Sequence, residues 1–261
     1  MERTIKQMLQ ETTYKVHMFV KEPKTEQFFM NERLEEVFQS ASLIKVPILL
    51  AVLNNLESNN KSLEQEMKIA PEEWVDFSVI SEQHLEQSTI YELLVWMIIT
   101  SDNTATNVLI DFLGMDVLNQ YFREIGLLHT TIQRKMMDFE RLAKGFDNTT
   151  SARDMAHLFL RIYRRDLLSP AFSELTLDIL SRQRVHESLK RYLVDDVKLA
   201  HKTGGLDTVD HDVGIVYSNF GDYLIGVFIT EVTNNDQARQ LIGRISKVVY
   251  DDVVKRKGMI K

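Results

Sequence analysis

Leu43-Ile44-Lys45-Val46-Pro47-Ile48-Leu49-Leu50-Ala51-Val52-Leu53 is an apolar run that contains one charge. A segment apolar on every side belongs inside a protein, as a core helix. Lysine is almost never fully buried without a partner or a purpose. Ser42 stands three residues before Lys45, one turn away on the same helix face. Burial lowers the pKa of an amine. An amine so lowered takes up a proton at neutral pH, and a serine that loses its proton becomes a nucleophile. Pro47 falls in or just after the first turn of a helix opening near Ser42, where a missing N–H costs least.

Outward from this helix the pattern alternates between strands and helices. Tyr14–Val20 and Gln27–Met30 read as two strands around Pro23. Ile90–Ile99, Thr104–Phe112 and Val117–Ile125 read as helices, the last two ended by Gly114 and Gly126. Residues 136–150 show no period and read as a long loop. Ser151 and Asp154 have capping-box spacing before a helix to about Tyr163, and Pro170 opens another to about Leu180. Val197–Lys202, Val213–Tyr217 and Tyr223–Thr230 read as strands, with turn signals at Gly204-Gly205 and Gly221-Asp222. Asp236–Val254 reads as a long helix. Two early and three late strands predict an α+β fold: an antiparallel sheet of about five strands, flanked by helices, with an all-helical insertion. Residues 1–41 and 182–261 are expected to form the sheet part and 42–181 the helical part of one intertwined unit.

Composition narrows the function. The 261 residues carry a net charge of −7 and no basic stripe, which argues against nucleic acid as a partner. With no cysteine, disulfides, thiolate metal sites and cysteine nucleophiles are excluded. The seven histidines lack metal-ligand spacing, so no metal and no cofactor are expected. No run approaches the roughly 20 apolar residues that span a bilayer, and the first ten residues lack the apolar core of a signal peptide. A monomer without a membrane segment is expected, cytoplasmic as the sequence stands and extracellular or periplasmic if a leader has been removed.

Three short motifs carry the chemistry. Ser42-Leu43-Ile44-Lys45, read alone, is a serine cap followed by a snorkelling lysine. Ser101-Asp102-Asn103, read alone, is a helix terminus and cap. Lys202-Thr203-Gly204, read alone, is a strand edge running into a Gly-Gly turn. Together they stand in one order, far apart in the chain, each in an element that suits it. This trio resembles the signature of class A β-lactamases and penicillin-binding proteins, and the resemblance spans nearly the whole chain.

The resemblance implies a β-lactamase/transpeptidase-like fold and a role for each residue. Ser42 would be the acylated nucleophile and Lys45 would accept its proton. Ser101 would pass a proton to the leaving nitrogen. Asn103 would hold Lys45 and bind the substrate amide. Lys202 and Thr203 would bind the substrate carboxylate, and Gly204 would allow close backbone approach. The N–H groups of Ser42 and Gly205 would hold the oxyanion. The implied substrate is a small molecule, a β-lactam or an acyl-D-amino-acid peptide.

One part departs from the family pattern. The loop glutamate that activates the deacylating water would fall near Met136 or Met137, and neither can act as a base. Asp138 and Glu140 are the nearest carboxylates. The reading is a serine acyl-hydrolase that cleaves the β-lactam amide. The alternative is a D,D-peptidase, an esterase or a slowly deacylating penicillin-binding sensor. Among other candidates, strand alternation turns His201 away from Lys202, with His211-Asp212 within cross-strand reach. Trp74, Phe77 and Trp96 are candidates for the cleft wall, with Trp96 better placed in the core.

Overall fold

In the computed structural model, which describes residues 1–194 and 197–258, the chain closes on itself through one five-stranded antiparallel sheet. Helix α1 (Glu2–Glu11) leads into β1 (Lys15–Lys21), β2 (Phe28–Glu32) and β3 (Val37–Gln39). A 3₁₀ turn, Ala41–Ile44, then opens α2 (Lys45–Ser58). The insertion continues through β4 (Glu66–Lys68), α3 (Val79–Glu82), β5 (Gln87–Thr89), α4 (Ile90–Ile99), α5 (Asn103–Leu113), α6 (Met115–Glu124), α7 (Phe139–Ala143), β6 (Thr149–Ser151), α8 (Ala152–Arg164) and α9 (Pro170–Ser181). The chain returns through β7 (Lys198–Leu206), β8 (Val209–Tyr217) and β9 (Tyr223–Thr230) to α10 (Asn235–Gly258).

The sheet order is β2-β1-β9-β8-β7, so strands from the two ends of the chain pair at β1 and β9. Every residue of β8 but the last is buried, as in a strand covered on both faces. One face packs with α2, α4, α5, α8 and α9 into a core that includes Phe19, Val213, Ile215 and Phe228. The other packs under α1 and α10 through Met18, Ile225, Val227, Ile242 and Ile245. Residues 195, 196 and 259–261 of the expected sheet part lie outside the described residues.

Local chemistry sets the boundaries. Thr89 and Glu92 exchange side-chain-to-backbone bonds at the start of α4, a capping box. Ser151 caps α8 by accepting the Asp154 N–H. The reciprocal half expected there is absent, because the Asp154 carboxylate accepts from Leu128, His129 and Thr130 instead. Residues 136–150 are not all loop, since they contain α7 and the start of β6. Gly204-Gly205 is not a turn; it lies inside β7, and the reversal falls at Asp207-Thr208. By length and composition Ala41–Ser58 would pass for a membrane-crossing helix, yet 67% of that window is buried inside the protein.

Gly214 marks a close approach between strands. A Cβ there would stand 2.6 Å from the Ala200 carbonyl oxygen and 2.6 Å from His201 Cβ. Backbone cannot swing aside as a side chain can. Gly214→Ala is expected to cost about 1–3 kcal/mol, read as a lower denaturation midpoint; an unchanged midpoint would show that β7 and β8 have slack.

Candidate active site

The turn Ala41–Ile44 holds Ser42 against strand β7. Ala41 adopts φ 45°, a left-handed conformation that costs a residue with a side chain. A Cβ on Gly204 would lie only 3.2 Å from the Ser42 backbone nitrogen. Glycine at 204 therefore lets the strand backbone close on the turn. Ser42 itself is partly exposed.

Lys45 opens α2 and is fully buried. Its Nζ lies 2.6 Å from the Ser101 carbonyl oxygen, 3.1 Å from Ser101 Oγ and 2.8 Å from Asn103 Oδ1. None of these three bonds goes to Ser42. Ser101 too is left-handed, with φ 61°. Asp102 caps α5 through the Ala105 N–H and also accepts from Ser78 Oγ and the Ile80 N–H. Asn103 donates Nδ2 to the Asp76 carbonyl, leaving Oδ1 for Lys45. The tripeptide is thus a rigid clamp, tied to the segment 76–80.

Lys202 is also fully buried. It donates to the Thr203 carbonyl at 2.7 Å and lies 3.1 Å from Ser101 Oγ. One hydroxyl therefore joins two amines. Burial pushes the Lys45 amine well below the usual lysine range, the charge of Lys202 pushes it further, and Asp102 pulls it back. Burial brings Lys202 down to about 7, with Asp212 opposing. A neutral amine has two N–H bonds and one lone pair. The Ser101 carbonyl and Asn103 Oδ1 can only accept, so they take both N–H bonds of a neutral Lys45. Its lone pair then faces the Ser101 hydroxyl, which can donate to Lys45 while accepting from Lys202.

The loop between α6 and β6 is tied at its neck. Arg134 Nε meets Asp147 Oδ1 at 2.7 Å, and Gln39 Nε2 meets the other oxygen at 2.6 Å. The Asn148 side chain bonds the backbone of Gln133 and Arg134, and its carbonyl accepts the Ser40 N–H. Asn107 brackets Met136, accepting its N–H at 2.7 Å and donating to its carbonyl at 3.1 Å. Met136 is thereby pinned to α5, four residues past Asn103. Asp138 caps α7 through the Arg141 N–H, and Glu140 is exposed. Neither carboxylate bonds to Ser42, Lys45 or Ser101.

The remaining candidates have other partners. His201 is buried against Asp212 at 2.8 Å, on the face of β7 opposite Lys202. His211 reaches the Gln39 carbonyl at 2.9 Å. Trp74 Nε1 donates to the Leu85 carbonyl, and Trp96 packs half-buried against the core. Phe77 stands 78% exposed beside Asn103, whose N–H its carbonyl accepts. Thr203, Gly204 and Gly205 border a cleft of about 320 Å³ together with Arg184, His186 and Arg239. Arg134, Asp147, Asn107 and His211 carry no motif, and their partners are 13 to 172 residues away.

Known proteins resemble this chain in sequence and fold. The profile described as "Beta-lactamase enzyme family" matches residues 1–253. Beta-lactamase AER-1 of Aeromonas hydrophila is 30% identical over 231 residues, 85% of this chain and 76% of that protein. The structure of PBP-A superposes with a TM-score of 0.89 at 30% identity, covering 97% of this chain and 96% of that one. A leucine-to-glutamate mutant of PBP-A, an acyl-enzyme complex with penicillin G, gives 0.88 at 29% identity over the same shares.

The two buried amines set a pH dependence of stability. An unfolded lysine keeps its proton to about 10.4, whereas folded Lys202 releases it near 7. Between those values the unfolded chain binds more protons, so stability rises with pH; the gain is complete above the unfolded value and is lost as pH falls through 7. Wild type is therefore expected to gain thermal stability over a Lys202→Met variant between about pH 7 and 10. Parallel midpoint-against-pH curves for the two proteins would contradict it.

Proposed function

The chain belongs to the β-lactamase enzyme family, and from that membership we propose a serine hydrolase that works through an acyl-enzyme on Ser42. The observation that carries the proposal is the Ser101 hydroxyl placed 3.1 Å from both Lys45 Nζ and Lys202 Nζ. Such a bridge offers a proton a path between the two amines.

The chemistry follows from the geometry. The Ser42 oxygen attacks the amide carbonyl of a β-lactam or acyl-D-amino-acid peptide, and its proton goes to the Lys45 amine. The N–H groups of Ser42 and Gly205 take the oxyanion charge. As the C–N bond breaks, the Ser101 hydroxyl gives its proton to the leaving nitrogen and is refilled from Lys45. Lys202 and Thr203 meet the substrate carboxylate, which favours the protonated form of Lys202.

Water must then release the acyl group, and here no carboxylate stands ready as the base. The family pattern would put one near Met136 or Met137, and a thioether cannot deprotonate water. Asp138 is engaged as a helix cap. Acylation by β-lactams is therefore fast relative to release, and the site suits a penicillin-binding D,D-peptidase or esterase better than a rapid β-lactamase. The similarity to PBP-A supports this choice. The similarity to AER-1 supports the second reading, full β-lactam turnover.

Intact-mass spectrometry after benzylpenicillin, followed over time, separates the two. A persistent adduct on Ser42 is expected, absent from Ser42→Ala and formed about 100-fold more slowly by Lys45→Ala. Labelling of Ser42→Ala at the wild-type rate would refute the nucleophile. Prompt loss of the adduct from wild type would favour the second reading.

Met136→Glu adds a carboxylate at the position that Asn107 pins. It is expected to shorten the adduct lifetime by about tenfold or more, within the range general bases supply, while leaving the labelling rate within a few-fold. An unchanged lifetime would mean that the side chain at 136 does not face the acyl group.

A further inference from the structure

Behind the nucleophile turn lies a buried histidine that the proposed mechanism does not use. His211, in β8, is 1% exposed and packs between aromatic rings, with Phe38 at 5.1 Å and Phe228 at 5.8 Å between centroids. His17 lies on the far side of Phe38 at 4.9 Å. Burial pushes the His211 imidazole down to about 4, so it is neutral at ordinary pH. A neutral imidazole has one N–H. Its Nε2 faces the Gln39 carbonyl, which can only accept, so the proton sits on Nε2. Nδ1 is left buried without a well-formed hydrogen bond, with only the Asp210 backbone also close enough to act on the ring.

An unpaired buried polar atom is costly, and an apolar ring would fill the same aromatic cage without that cost. The Nε2–H bond is what the histidine supplies in return, and its place in the fold is specific. His211 pairs in register with Gly204 of β7, the residue whose backbone closes on the Ser42 nitrogen. Gln39 ends β3, three residues before Ser42, with the left-handed Ala41 between them. The bond therefore ties the strand pair that borders the cleft to the chain entering the nucleophile turn.

We propose that His211 is a positioning residue for acylation: by holding the Gln39 carbonyl it sets where the turn Ala41–Ile44 presents the Ser42 hydroxyl and N–H to strand β7. The bond acts against the tendency of a strained turn to relax away from the strand. The inference rests on the Ser42 acyl-enzyme reading.

The test compares His211→Phe with His211→Gln. Phenylalanine fits the cage but has no N–H; glutamine carries an N–H where Nε2 stands. His211→Phe is expected to label with fluorescent penicillin about tenfold more slowly, some 1.4 kcal/mol of barrier, with a thermal midpoint at or above wild type. His211→Gln is expected to recover the rate to within about threefold. Hydrogen exchange in a peptide covering residues 38–44 should quicken in the Phe variant and not in the Gln variant. Should the Phe variant fail to fold, His211→Asn makes the same comparison, since its shorter amide cannot reach Gln39.

Wild-type labelling by His211→Phe would overturn the proposal. So would a loss of rate that follows the thermal midpoint in both variants rather than the presence of the N–H. If wild type itself takes no label, the Ser42 reading fails, and the exchange comparison still tests the tether alone.

Discussion

The constraint on which the site depends is the burial of Lys45 without a bonded carboxylate. A charged ammonium in the interior, unpaired, costs several kcal/mol. Here its Nζ meets two carbonyl oxygens and a hydroxyl. That set satisfies a neutral amine as well as a charged one, because carbonyls take N–H bonds in either state. The surroundings therefore do not lock the proton in place, as a carboxylate partner would. An amine that can hold or release a proton at little cost is what the proposed serine nucleophile needs, and the Ser101 hydroxyl meets it from another part of the chain.

Holding such an amine demands unusual backbone. Ala41 and Ser101 sit at φ 45° and 61°, and Phe77 and Met137 at 57° and 63°. Each conformation is unfavourable for a residue with a side chain, by an amount of order 1–3 kcal/mol at the strained extreme. All four lie in the nucleophile turn, the clamp, the segment that holds Asn103 or the loop next to Met136. The surrounding bonds over-determine them: Asp102 fixes both the clamp and the segment 78–80, and Asn148 ties the loop neck to Ser40. The helices and sheet beneath are ordinary by comparison, and their two cores supply the rigidity that the strained segments draw on.

Much of this was legible in the sequence, and what was not has a physical reason. The buried lysine in α2 and the two-ended sheet follow from hydrophobic pattern alone. The convergence of Lys45, Ser101 and Lys202 follows only from the three motifs taken as a set. Gly204-Gly205 misled because glycine signals both turns and close approach, and only the position of Ser42 tells them apart. The short strands β3 to β6 escaped because three residues carry too little period to read. Arg134, Asp147 and Asn107 escaped for another reason, as did the Gln39 partner of His211, which the sequence marked only as a cross-strand neighbour of His201. Their meaning lies in partners that the fold brings near, and no local pattern marks such pairs. Ser151 shows the same limit from the other side: its spacing to Asp154 predicted a reciprocal cap, and a long-range demand on the Asp154 carboxylate won.

In the proposed mechanism, acylation and deacylation draw on different parts of this scaffold. The groups assigned there to attack, proton transfer and carboxylate binding come from the turn Ala41–Ile44, α2, the Ser101–Asn103 clamp and β7, which meet in one packed region. The position from which water would be activated lies on a loop where Met136 is fastened to α5 by Asn107, while the loop's neck, through Asn148 and Asp147, is also bonded to Ser40 and Gln39. A change at Met136 can therefore alter the second half of the reaction without disturbing the first. The reverse does not hold. Any change that lets the turn at Ser42 drift from β7 affects both halves, because the same N–H groups receive the oxyanion each time the carbonyl is attacked. The nucleophile turn is accordingly tethered twice, by Gly204 in front and by the Gln39 and Ser40 bonds behind; the Ser40 bond to Asn148 is shared with the neck of the loop, and only the Asn107 bracket on Met136 is the loop's own.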